Sequence, residues 1–138
     1  MEFAQIRDRV EVDPKALLTI DPSSLIGTWV NSNTETNGIT RMIVSQTDDQ
    51  LLIRTYAIGP AGVLDWGNEE LELFAASASS RVASGFSCRY DFGFGETRLQ
   101  GMIMKGLLVL AQFHSFKDTS KRAGFFVREY YALDHGLF

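Results

Sequence analysis

From Ile26 onward, runs of β-forming residues alternate with polar turns, and no connection between runs is long enough to hold a crossover helix. Parallel neighbours need such a crossover, so successive strands must be antiparallel. The runs lie near 26–33, 38–46, 51–58, 69–76, 81–92, 96–104, 107–116 and 124–133. A meander of this length leaves two unpaired edges unless it closes on itself. The expected fold class is therefore all-β, an antiparallel up-and-down barrel of about eight strands.

Residues 1–24 read as a separate N-terminal segment and 25–138 as the barrel domain. Phe3, Ile6 and Val10 recur at helical spacing, whereas Val10-Glu11-Val12 suits an extended arm equally well. Asp13-Pro14 and Asp21-Pro22 each place a capping residue before a proline, a helix-start signal. The second should give a single helical turn, because Gly27 and a β-type run follow at once.

Register can be followed through the hairpins. A turn at Lys105-Gly106 sets Met104 opposite Leu107, Gly101 opposite Leu110 and Leu99 opposite Gln112. A turn at Gly93-Phe94 sets Tyr90 opposite Thr97, Cys88 opposite Leu99 and Phe86 opposite Gly101. A turn over Ser77 to Ser80 sets Ala75 opposite Val82 and Leu73 opposite Ser84. Closing the Lys117 to Gly124 turn with His114 opposite Phe126 puts Gln112 opposite Arg128 and Leu110 opposite Tyr130. Side chains alternate across a strand, so Phe126, Arg128 and Tyr130 are expected on the inner face with Leu71, Leu73, Val82, Phe86, Cys88 and Tyr90. Met42, Val44, Ile53 and Thr55 turn inward if Arg41 and Arg54 face out. Outward, Met102, Met104, Leu107, Val109, Phe113, Val127 and Tyr131 are expected to form an apolar patch, which monomers seldom expose. A homo-oligomer, with a dimer favoured, is the expected cover, and docking of the N-terminal segment the rival.

The chain is 45% hydrophobic with a net charge of −4, which suits a folded domain and disfavours nucleic acid or an anionic membrane as partner. No apolar run is long enough to span a bilayer as a helix. The N-terminus lacks a signal-peptide core and Cys88 is the only cysteine, so a cytoplasmic location is expected.

Ile26-Gly27-Thr28-Trp29-Val30-Asn31 follows a short turn and opens the first barrel strand. It resembles the Gly-x-Trp opening of lipocalins and the Gly-Thr-Trp-x-Asn opening of avidins. Together with Gly-Ile-Thr-Arg and Asp-Trp-Gly, it also resembles a group of uncharacterised barrel proteins. The resemblance implies a calycin-type barrel with Trp29 packed at the closed end beneath a late-strand arginine, for which Arg128 is the candidate. The other lipocalin motifs and the avidin tryptophans that enclose biotin have no counterparts, so the resemblance lends the barrel and not its ligand.

Metal chemistry is not indicated: His114 and His135 are the only histidines, and no Cys-x-x-Cys or His-x-x-x-His spacing occurs. No cofactor motif is legible. Gly93-Phe94-Gly95-Glu96 lacks the Gly-Lys-Ser of a phosphate loop and reads as a hairpin turn. There is no Gly-x-Ser-x-Gly elbow, and Cys88 on an apolar wall reads as a small hydrophobe. Asp65-Trp66-Gly67 is either a turn or a mouth loop with Trp66 as a ligand lid. What remains is a few polar groups on an apolar inner wall, the composition of a small-molecule pocket. Its expected members are Trp29, Asn31, Trp66, Phe86, Tyr90, Leu110, Gln112, His114, Phe126, Arg128 and Tyr130. A filled core network of the same residues is the alternative, because a barrel of this size can hold one ligand or fill itself. The expected function is binding of a small, largely apolar molecule. The other readings are a cofactor-independent cyclase or isomerase using His114, Tyr90 or Tyr130 for proton transfer, and an oligomeric structural protein.

Overall fold

A computed structural model describes residues 20–135. Nine strands follow one another: β1 (Gly27–Asn31), β2 (Ile39–Thr47), β3 (Gln50–Gly59), β4 (Gly62–Glu70), β5 (Glu72–Ala75), β6 (Ala83–Asp91), β7 (Gly95–Met104), β8 (Leu107–Phe116) and β9 (Phe125–Asp134). They form a single antiparallel sheet in the order β4-β3-β2-β1-β9-β8-β7-β6-β5. β1 and β9 therefore pair at its centre, and the sheet is strongly curled around one buried core. Two contacts reveal the curl. The Tyr90 hydroxyl on β6 donates to the Gly67 carbonyl of β4 at 2.8 Å and lies 3.1 Å from Thr55 Oγ1 of β3. Those strands stand near opposite edges of the sheet, so the edges face each other across the core.

The segment expected as one strand near 69–76 is divided at Leu71, and the expected loop Gly59 to Gly67 is mostly strand. Gly59 pairs with Gly62 across a tight turn, and β4 starts there. The expected helical turn at Asp21-Pro22 is a turn in which the Leu25 amide donates to the Pro22 carbonyl at 2.9 Å. The helix or arm expected around Phe3 to Val12 lies outside the described residues. No helix among the described residues is long and apolar enough to cross a membrane.

The core is built by alternation. Met42, Val44, Ile53 and Thr55 point inward and are buried, while Arg41 and Arg54 are exposed. The hairpins β6–β7 and β7–β8 carry the expected registers, with Tyr90 opposite Thr97, Phe86 opposite Gly101 and Leu99 opposite Gln112. Gly101 is the only residue type that leaves room there: an added Cβ would stand 2.4 Å from the buried Phe86 ring. One end of the curl is sealed by the chain before β1. Leu25 is fully buried, Trp29 Nε1 donates to the Leu25 carbonyl at 2.9 Å, and Asp21 bridges to Val82.

Two registers differ from expectation. In β5–β6, Leu73 faces Phe86 and Ala75 faces Ala83, with a bulge between, so Val82 lies outside at 50% exposure. In β8–β9, His114 faces Phe125, Gln112 faces Val127, Leu110 faces Glu129 and Leu108 faces Tyr131. That is a slip of one residue, which turns every β9 side chain to the other face. Phe126, Arg128 and Tyr130 are therefore outside, and Val127, Glu129 and Tyr131 are inside. Tyr131 is fully buried, whereas Phe126 and Tyr130 are 50% and 43% exposed. Arg128 does not lie over Trp29. The outward patch consequently keeps Met102, Met104, Leu107, Val109 and Phe113, loses Val127 and Tyr131, and gains Phe126 and Tyr130.

Candidate functional site

A cavity of about 470 Å³ opens at the end of the curl away from Trp29. Ile39 of β2, Ala57 and Ile58 of β3, Trp66 of β4, and Phe125 and Val127 of β9 give it an apolar wall. Gln112 and His114 of β8, Glu129 of β9 and the loop residues Thr36 to Gly38 add polar groups. The volume falls in the range that holds one small organic molecule.

Strand alternation places Gln112 and His114 on the same face, and the β8–β9 register brings Glu129 beside them. The polar groups form one chain. Thr97 Oγ1 lies 2.9 Å from His114 Nδ1, and His114 Nε2 lies 3.3 Å from Gln112 Oε1. Gln112 Nε2 donates to Glu129 Oε1 at 3.1 Å, and Thr36 Oγ1 donates to Glu129 Oε2 at 2.6 Å. These partners assign the protons. The carboxylate can only accept, so the Gln112 amide turns its nitrogen towards Glu129 and its oxygen towards His114. His114 then carries its proton on Nε2 and accepts at Nδ1 from the Thr97 hydroxyl. The ring is half-buried and stacks on Phe125 with centroids 4.4 Å apart. Burial disfavours the imidazolium and lowers the His114 pKa below its usual value, which suits the neutral tautomer.

Beneath the cavity floor a second polar layer is satisfied within the chain. Tyr131 donates to the Ile39 carbonyl at 2.8 Å, and Asn31 Nδ2 donates to the same carbonyl at 2.9 Å. Burial raises the pKa of both Tyr131 and Tyr90, so these phenols remain neutral donors. Cys88 lies on the inner face, and burial pushes its thiol up to about 12, well away from thiolate chemistry.

Trp66 reaches the cavity through a local irregularity. The β3–β4 register shifts between Arg54 and Tyr56, setting Trp66 and Gly67 against Thr55 alone. Gly67 adopts φ +85°, and its amide N–H donates to Asp65 Oδ1 at 2.9 Å. Asp65 itself pairs outside with Arg54. This bulge turns Trp66 inward, edge-on to Tyr90 and Phe92 at 5.3 and 5.0 Å. The turn and the wall are thus the same feature.

Of the expected site residues, Trp66, Gln112 and His114 line the cavity. Trp29, Asn31, Phe86, Tyr90 and Leu110 are inner but packed in the core away from it. Phe126, Arg128 and Tyr130 are on the outer face, so Tyr130 is separated from the other two proton-transfer candidates, His114 and Tyr90. Glu129, Thr36, Phe125 and Val127 were not expected here. Among the described residues, no group of three His, Cys, Asp or Glu side chains stands close enough to hold a metal ion. No family model, no curated protein and no solved structure matches the chain.

Proposed function

We propose that this protein is a calycin-type barrel that binds one small, largely apolar molecule at its open end. The observation that carries this reading is the cavity itself: an apolar wall around a short hydrogen-bonded row of His114, Gln112 and Glu129. Such a wall supplies affinity through burial, and the few polar groups fix orientation. The sealed end under Trp29 supports a cup rather than a channel, with Trp66 and Phe125 at its rim. The test is displacement of an environment-sensitive apolar dye. Val127→Trp fills the cavity from β9 and is expected to weaken dye binding at least tenfold without changing the far-UV spectrum. Unchanged dye affinity in that variant would contradict the reading.

A cofactor-independent cyclase or isomerase in the same cavity is the second reading, favoured by a neutral imidazole held in one tautomer at the wall. Both ring nitrogens already have partners in the chain, so a substrate would have to displace Gln112 or Thr97. That requirement ranks binding first. A third reading concerns the outer face of β7, β8 and β9, where Met102, Phe113, Phe126 and Tyr130 are each more than one-third exposed. A second copy of the chain is the occupant proposed for it, since closed symmetric dimers are the commonest soluble assemblies.

A further inference from the structure

The cavity holds one ionisable group whose neighbours leave a charge uncompensated. Glu129 accepts from Thr36 Oγ1 and Gln112 Nε2, and the Tyr131 hydroxyl, whose proton goes to the Ile39 carbonyl, lies 3.5 Å away. All three groups are neutral. Among the described residues, no lysine or arginine pairs with it. A carboxylate offers about four acceptor positions, so capacity remains for a donor inside the cavity that Glu129 lines. A charge partly removed from water and held by neutral dipoles gains most from an opposite charge. The rest of the wall suits the same partner: Trp66 and Phe125 line it, and aromatic rings attract cations. A carboxylate ligand would instead meet Glu129 as a like charge.

We propose that the ligand carries a cationic nitrogen, an alkyl- or arylalkyl-ammonium, seated on Glu129 with its apolar body against Ile39, Ala57, Ile58 and Val127. This rests on the cavity being a binding site and names the chemical class that it selects. Gln112, itself held by His114, fixes the carboxylate's orientation, so the site separates charge recognition from the apolar pocket.

Three probes of equal chain length test it: decylammonium, decanol and decanoate, each below its micellar range, titrated calorimetrically into the full chain and into Glu129→Gln. The expected order in the native chain is ammonium, then alcohol, then carboxylate, with ammonium favoured over alcohol at least tenfold. Glu129→Gln keeps the side-chain shape and should abolish the ammonium preference, so that decylammonium binds no more tightly than decanol. Equal affinity for decylammonium and decanol in the native chain would overturn the charge assignment, even if the variant failed to fold, and would leave the cavity reading standing. A preference that survives in a folded Glu129→Gln would overturn it too. Binding of none of the three would remove the cavity reading and this inference together.

Discussion

Truncation of two adjacent tyrosines separates the two possible registers of the last hairpin, on which the placement of Glu129 depends. Tyr131 is fully buried and Tyr130 is 43% exposed. Truncating a buried aromatic side chain to alanine costs about 3–5 kcal/mol, from lost burial and the cavity left behind. The Tyr131 hydroxyl also donates to the Ile39 carbonyl, a bond worth about 1 kcal/mol net. Part of that loss is covered, because Asn31 Nδ2 still reaches the same carbonyl. Tyr131→Ala should therefore lose about 4 kcal/mol. For a domain of this size that is a fall in Tm of roughly 10–20 °C. Tyr130→Ala removes contacts from an outward side chain and should cost about 1 kcal/mol or less. Guanidinium unfolding followed by circular dichroism, with thermal scans alongside, measures both. Equal losses, or a larger loss at Tyr130, would refute the register and return Arg128 to the interior in place of Glu129.

Stability should also depend on pH through His114. Its folded pKa lies below the ordinary 6.5, so the unfolded chain binds the proton first, and stability is complete above that value and declines as pH falls through it. His114→Gln should flatten this decline in urea titrations between about pH 7 and 5, and an unchanged slope would contradict the assignment. Asp65 and Asp91, whose partners hold their carboxyls below 3.8, contribute a separate loss only at still lower pH. On the outer face, Phe113→Glu should convert a light-scattering dimer into a monomer with its stability changed by about 0.5 kcal/mol or less. The same oligomer mass in the variant, or a monomer in the native chain, would contradict self-association through that face.

The sheet was legible wherever a strand has one polar and one apolar face. Glu70 and Glu72, Arg89 and Asp91, and Arg98 and Gln100 mark the outside of β4 to β7, and two-residue or Gly-containing turns fix the β6–β7 and β7–β8 pairing, whereas the serine-rich turn before β6 and the bulge in β5–β6 hid that register. The last strand offers no such contrast. Phe125-Phe126-Val127-Arg128-Glu129-Tyr130-Tyr131 puts one charge and two or more apolar residues on each face, and its long turn admits either parity. Tertiary pairing decides it: β9 lies against β1, where inward Trp29 and Asn31 face Leu133 and Tyr131. Glu129 was hidden for that reason alone. Trp66 reads as a turn or a mouth-loop residue and not as part of a strand, because Gly67 at φ +85° looks like a loop and acts as a bulge. Thr36 carries no periodic signal, since its position depends on a loop folding back to Glu129.

The chain contains two tryptophans, and the structure gives them opposite roles. Trp29 is 3% exposed with its indole N–H donated to Leu25 at the sealed end, while Trp66 lines the open cavity. Nitrogen-15 NMR resolves the two indole N–H signals, and Trp66→Phe assigns them. On titration with decylammonium, or decanol if charge plays no part, the Trp66 signal should shift saturably while that of Trp29 stays in place. A shift confined to Trp29, or no saturable shift at either indole, would contradict a ligand site at the open end of the curled sheet.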